Sequence, residues 1–357
     1  MAEVRSARGA RARRHPRWWR LLVFLLLTLA AIEYGVLPSL VAARNDVPRI
    51  RGASIVLLVL ALLLEVASLV TYTGLTRAVL PGARRVGWPT QLAVDLTGYG
   101  TSHVIPGGAA TATGLRFRLM TSVGLDGGSV VTTAAVQATL SSLALAGCYL
   151  LGVMTAIPEV RRRPALMLTA LGGFTVLIAV GIASGLLARR GLPTSGPLRE
   201  TRTRAGAWLV LRWARVRYDV LVFLHDESRT YPAIGYATVN WLLDAACLWV
   251  CLAAYRDVLA PGLVLTAYGF ANLLGLLPLT PGGLGVIEGT LIPLLIGFGA
   301  AASAAVLGVL TWRLLQFWLP VPVAGVCYLA LKLSGRLDRS AERVTSHPAD
   351  APVEDRP

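Results

Sequence analysis

The sequence predicts an all-α integral membrane protein with six full spans and two broken or re-entrant helical hairpins, arranged as an inverted repeat. Three observations carry this reading: the composition, two Pro-Gly-Gly interruptions, and a similar displacement between related segments. The 357 residues are 55% apolar and 15% charged, with a mean hydropathy of +0.63, far from the balance of a soluble domain. A hydrocarbon core of about 30 Å takes roughly 20 helical residues to cross. Apolar runs of that order lie near residues 19–40, 53–75, 130–153, 165–188, 232–255 and 303–331.

The first run follows the basic stretch "RSARGARARRHPRWWR" of a tail over residues 1–18. It is too long for the apolar region of a secretory signal and no small-x-small cleavage site follows, so it reads as a retained helix. The second span, 53–75, carries Glu65. The segment near 91–118 is then interrupted at Pro106, Gly107 and Gly108, and its return limb soon meets Arg116 and Arg118. It is too short for two crossings, which makes a re-entrant loop the economical solution. Spans 130–153 and 165–188 follow.

The linker, about 189–230, places Trp208 or Leu209, Trp213, Val216, Val220 and Phe223 on one helical face and Arg212, Arg215 and Asp219 on another. That pattern is an interfacial amphipathic helix. After span 232–255, the stretch "YGFANLLGLLPLTPGGLGVIEGTLIPLL" is broken by Pro281, Gly282 and Gly283, and it carries an acid, Glu288. Backbone groups freed by such a break are tolerated at membrane depth only where protein or water satisfies them. The second broken segment thus reads as a site and not as a plain anchor. Span 303–331 closes the membrane domain, 19–335. The tail 336–357 is polar and Pro-containing, hence expected to be disordered.

The two interruptions are related. "LTGYG" at 96–100 precedes Pro106 and "LTAYG" at 265–269 precedes Pro281, so the breaks lie 175 residues apart. Spans 53–75 and 232–255 are displaced by a similar amount, as are 130–153 and 303–331. Each half, about 19–153 and 165–331, is therefore span, span, broken hairpin, span. Three crossings per half is odd, so the second half starts on the opposite side and the halves are inverted, a transporter-like plan with the site where the broken elements meet.

The net charge of +15 comes from 34 Lys and Arg residues, of which Lys332 is the single lysine. These cations cluster at span ends, where the positive-inside rule and anionic lipid account for them; nucleic-acid binding is not implied. The basic N-terminus and the linker are expected in the cytoplasm, and parity returns the C-terminus there. Arg161 to Arg163 then lie outside, against the charge rule. Cys148, Cys247, Cys251 and Cys327 fall inside apolar spans without His or carboxylate at ligand spacing, so they read as small hydrophobes. No metal site, cofactor motif, Walker loop or nucleophile elbow is present in the sequence.

Ionisable side chains inside spans are expensive and are functional candidates by default. They are Glu33, Glu65, Asp95, His103, Asp244, Glu288 and Arg313. Glu65 and Asp244 occupy corresponding spans and suit either a pseudo-symmetric cavity or structural hydrogen bonds. Glu288 and Arg313 suit mutual neutralisation across the hairpin. Arg116 presents a guanidinium in a limb otherwise free of acids, the geometry for a phosphate, or else marks the return to headgroups. His103 suits a hydrogen bond to backbone beside the break. Asn272 is a supporting polar group, and Gly285 with Gly289 forms a small-residue packing pair.

"PGGLGVIEGTLIPLL" together with "HVIPGGAATATGLRFRLM" resembles the lysylphosphatidylglycerol synthase transmembrane family. This is the flippase-like membrane domain of bifunctional multiple-peptide-resistance proteins and of many stand-alone bacterial and archaeal proteins. The resemblance runs from about residue 20 to 335, with Pro281, Gly282, Gly283, Gly285 and Glu288 matching its second motif. The first motif departs from a common form, since "GGAATATG" lacks an acid, although Arg116 stands where a basic residue is expected. No aminoacyl-transferase domain follows the last span.

The resemblance implies lipid handling without lipid synthesis, in a bacterial inner membrane. The expected function is translocation of a phosphate-bearing lipid, anionic or polyprenyl-linked, between leaflets, by a non-enzyme without cofactors. Binding is assigned to Pro106, Gly107, Gly108, Arg116, Pro281, Gly282, Gly283, Gly285 and Glu288, supported by Glu65, Asp95, His103, Asp244, Asn272 and Arg313. Homo-oligomerisation or a lipid-synthase partner is compatible with this. The rivals are an ion-coupled small-solute transporter, a non-transporting partner of a separate enzyme, and a headgroup-modifying enzyme using Glu65, Asp244 and Glu288.

Overall fold

The computed structural model describes residues 52–80, 86–104, 108–122, 125–162, 167–178, 218–276 and 280–334. The expected first span, 19–40, the break residues Pro106 and Gly107, and most of the linker lie outside the described residues. Within them the chain is all helical, with no strand. Four helical stretches are long and apolar enough to cross a membrane: Ile55–Val79, Gly127–Glu159, Glu227–Ala254 and Ala302–Leu333. Of the expected span 165–188, residues Met167–Ile178 form a shorter apolar helix.

In chain order the helices are α1 (Ile55–Val79), α2 (Trp88–Val104), α3 (Gly108–Ser122), α4 (Gly127–Ala156), α5 (Met167–Ile178), α6 (218–225), α7 (Glu227–Ala254), α8 (Pro261–Gly275), α9 (Val286–Gly297), α10 (Ala302–Arg313) and α11 (Pro320–Leu333). Local chemistry sets their ends. The Ser54 hydroxyl accepts from the Leu57 N–H to open α1, and the Asp126 carboxylate accepts from the Ser129 N–H at 2.9 Å to open α4. Both satisfy a donor that a helix N-terminus leaves orphaned. The Ser129 N–H also holds the Asp126 carboxyl below its usual range. α8 opens on Pro261, whose missing N–H costs nothing there.

The expected span 303–331 is not a uniform helix. Between α10 and α11 the backbone widens into a π turn over Leu314–Trp318, and Pro320 follows, which cannot donate to the preceding turn. π turns recur at functional positions, and this one immediately follows Arg313.

α1 and α7 pack antiparallel along their lengths. The Ser54 N–H donates to the Ala254 carbonyl at 3.0 Å, Asn240 donates to the Ser68 carbonyl and hydroxyl at 2.8 Å each, and Arg229 donates to the Val79 carbonyl at 2.9 Å. The other face of α1 is apolar and bare, with Ile55, Val56, Val59, Leu63 and Val66 exposed. Such a stripe is a liability in water and at home in lipid.

α2 folds back against α3, and α8 against α9, as two helix–break–helix hairpins. Their helices have 17, 15, 15 and 12 residues, each below the roughly 20 needed to cross. Each hairpin leans on the last long helix of the other half: α8 on α4, and α2 on α11. Both contacts use glycine for close approach. A Cβ on Gly269 would lie 2.9 Å from the Tyr149 Cα, and one on Gly100 would lie 2.6 Å from the Pro320 carbonyl oxygen. Neither neighbour can rotate away because both are backbone. Gly100→Ala is therefore expected to lower stability by about 1–3 kcal/mol, the usual cost of overpacking. Gly114→Ala, with open space around it, should be neutral or slightly stabilising; paired unfolding midpoints in detergent check both.

Candidate functional site

The second break is built by glycine. Gly282, Gly283 and Gly285 adopt φ of 58°, 68° and 80°, the left-handed region that side chains disfavour, which explains the Pro-Gly-Gly-x-Gly sequence. The turn delivers α9 so that Glu288 sits at its third position, where Oε2 accepts the Gly285 N–H at 2.7 Å. This closes an orphan donor at the positive end of the helix.

Arg313 of α10 meets the other oxygen, with Nε 2.6 Å from Oε1 and side-chain exposures of 4% and 5%; the contact is ionic more than it is an aligned hydrogen bond. The guanidinium also donates to the Gln316 side chain at 3.2 Å and to the Gly283 carbonyl at 3.4 Å, and it lies over the Trp312 and Phe317 rings. Arg313 thereby ties the last helix to the break itself.

The first hairpin reaches the same place. Gln316 donates to the Tyr99 hydroxyl of α2 at 2.8 Å. The His103 ring packs edge-on against Phe317 at 4.3 Å while its Nδ1 bonds to the Tyr99 carbonyl at 2.8 Å. A Cβ on Gly282 would touch both Phe317 and His103. The end of α2, three residues before Pro106, and the turn at Gly282 are thus neighbours. The backbone partner of His103 is a carbonyl one turn back in its own helix and not one freed by the break.

Inside the first hairpin Arg116 does not stand free. Its Nη2 and Nε donate to one oxygen of Asp95 at 2.8 and 3.2 Å, Nη2 also donates to the Thr76 hydroxyl at 2.8 Å, and the guanidinium lies over the Tyr72 ring. Gln91 donates to the second Asp95 oxygen at 3.2 Å, and Gln137 of α4 donates to Thr76 at 3.2 Å. The return limb lacks acids, but the outgoing limb supplies one. Beside Arg116 lies a cavity of about 90 Å³ lined by Thr113, Phe117, Met120 and Thr133 among others, room for a few waters and not for a headgroup.

A third polar centre lies between α1 and α7. Asp244 accepts from the Tyr268 hydroxyl at 2.7 Å and from the Trp312 Nε1 at 2.5 Å, and Glu65 interacts with it from across the helix pair. Asn272, one turn beyond Tyr268, donates to the Tyr268 carbonyl at 2.9 Å. Gly108 opens α3. A larger recess, about 630 Å³, lies away from the breaks, among Val79, Asp126, Thr132, Asp219 and Arg229. Its three acids, Asp126, Asp219 and Asp226, against one Arg, with Asp219 held by Thr132 at 3.0 Å, do not suit a phosphate. Among the described residues no group of three or more His, Cys, Asp or Glu side chains is placed to hold a metal.

Apolar helices long enough to span, around two helical hairpins whose acids Asp95 and Glu288 are each paired with an Arg, Arg116 of the first hairpin and Arg313 of α10, define a multi-pass helical membrane protein with a polar centre between its helices. The chain belongs to the family described as the lysylphosphatidylglycerol synthase TM region, whose model matches residues 17–324. It is similar to the inner membrane protein YbhN of Escherichia coli, 26% identical over 61% of this chain and 62% of that one. A UPF0104 membrane protein of Methanothermobacter thermautotrophicus is 26% identical over 32% of this chain and 35% of its own. The uncharacterized protein slr0712 of Synechocystis is 33% identical over 28% and 30%. The chain thus spans less than two thirds of these relatives' lengths, and none of their names states an activity.

Proposed function

We propose that the protein is a non-enzymatic lipid transporter that moves a phosphate-bearing lipid, anionic or polyprenyl-linked, between the leaflets of the bacterial inner membrane. The observation that carries this is the meeting of two broken hairpins, each with an Arg already neutralised by one of its own acids: Arg116 of the first hairpin by Asp95, and Arg313 of α10 by Glu288 of the second. A lipid phosphate has the charge and oxygen geometry to take a carboxylate's place on a guanidinium fork. In the arrangement described the acids fill those places; when the hairpins part, a headgroup phosphate replaces one of them. The rings over Arg313 and Arg116 hold the forks in orientation for that exchange.

The transporter architecture has its own support. The displacement of 175 residues carries Ile55–Val79 inside Glu227–Ala254 and Gly127 onto Ala302, where α10 begins. Corresponding helices α1 and α7 run antiparallel, and each hairpin leans on the last helix of the opposite half. An inverted repeat with re-entrant hairpins and both termini in the cytoplasm is the reading these features favour.

The test is transfer of fluorescent phosphatidylglycerol in reconstituted vesicles, read by dithionite accessibility. Removing Glu288 alone strands the Arg313 charge, so the informative variant is the neutral pair Glu288→Gln with Arg313→Gln. It should keep the fold and lose at least tenfold in transfer rate. Wild-type transfer no faster than in empty vesicles, for phosphatidylglycerol and for polyprenyl phosphate alike, would end the lipid reading and favour a solute transporter or a non-transporting partner.

A further inference from the structure

The α1–α7 pair holds two acids for which no described contact supplies a balancing cation. The register that sets Ser54 against Ala254, Ser68 against Asn240 and Val79 against Arg229 sets Glu65 against Asp244, and the two carboxyl groups interact. They are 2% and 6% exposed. Asp244 is provided for, with one donor on each oxygen, Trp312 and Tyr268. Glu65 is not: its Oε2 is buried without a hydrogen-bond partner.

Two carboxylates side by side in a low-dielectric interior repel strongly, and a buried charge without a partner is costly. A single proton on Glu65 removes the repulsion and turns an orphan acceptor into a donor. The groups facing the pair do not offer another remedy. Tyr99 of α2 and Tyr268 of α8 are neutral hydroxyls, Cys247 and Cys251 of α7 are buried thiols, and Arg313 of α10, the cation among the described residues that acts on Asp244, is committed to Glu288.

We infer that Glu65 and Asp244 form an exchangeable proton site whose occupancy is linked to the hairpin break through α10. The link is covalent and short. Adjacent residues of one helix read two different acids, Trp312 donating to Asp244 and Arg313 pairing with Glu288. When the proton leaves, the second negative charge draws on Trp312 and on the Arg313 charge beside it, at the expense of the Glu288 pair that holds the break. The linkage to transport rests on the lipid reading above; the proton site does not.

Infrared difference spectra of the purified full-length protein, recorded across a pH titration in H₂O and D₂O, separate the two. The expected result is one protonated-carboxyl band, isotope-sensitive and titrating as a single group, that Glu65→Gln abolishes. In Asp244→Asn the band should titrate at lower pH, because the neighbouring negative charge that opposed ionisation of Glu65 is gone. Absence of the band in the wild type, its survival in Glu65→Gln, or a band that vanishes only on adding sodium overturns the proton site. In vesicles, an imposed pH gradient should accelerate phosphatidylglycerol transfer severalfold in the wild type and not in Glu65→Gln. A gradient effect unchanged in Glu65→Gln overturns the link, whereas no lipid transfer in any variant, with the infrared result intact, refutes the lipid reading and leaves the proton site standing.

Discussion

Arg313→Ala is expected to be among the most damaging single changes in the protein, costing about 3–5 kcal/mol, the range for breaking a buried ion pair by removing one partner. The cost arises in what stays behind. Glu288, 4% exposed, keeps the Gly285 N–H but loses the only cation in contact with it among the described residues, and the Gly283 carbonyl and Gln316 lose a donor. The left-handed turn at Gly282 and Gly283 then loses the Arg313 bond that fastens it to α10. Thermal unfolding in detergent should show the loss as a large fall in midpoint, and the neutral pair Glu288→Gln with Arg313→Gln should regain most of it because no charge is stranded. A midpoint for Arg313→Ala within a degree or so of wild type would mean that water reaches Glu288, and the break would then be an aqueous surface turn.

Glu288 and Arg313 were legible as partners in the sequence because charges are rare in apolar spans and rarity makes each one stand out. The partner of Arg116 was not. Asp95 lies 21 residues earlier on the other limb of the hairpin, and which side chains of two folded-back helices face each other depends on their rotation, which composition does not encode. The uncharged members of both networks, Tyr72, Thr76, Gln91, Gln137 and Gln316, gave no signal, since single hydroxyls and amides are unremarkable in a span. The π turn was hidden for a related reason. Leu314 to Trp318 read as uninterrupted apolar helix, and only Pro320 hinted at a change. Helix placement fared better: apolar runs marked α1, α4 and α7 to within a few residues, because burial in lipid and burial in protein both demand the same residue types.

Arg116→Ala is expected to cost as much as the alanine change at Arg313, again about 3–5 kcal/mol, since it leaves Asp95, 1% exposed, with neutral donors such as Gln91 in place of its cation. Arg116→Lys should recover only part of this. An ammonium can reach Asp95 or Thr76, but it lacks the planar fork that now serves both and lies over Tyr72. Stability and lipid binding are separated by the neutral pair Asp95→Asn with Arg116→Gln, which removes both charges and strands neither. If Arg116 exchanges Asp95 for a lipid phosphate, that pair should unfold near the wild-type midpoint while binding phosphatidylglycerol in detergent at least tenfold more weakly. Unchanged binding with the fold intact would assign Arg116 to holding α2 against α3, and Arg313 would remain as the guanidinium placed where the end of α2 meets the turn at Gly282.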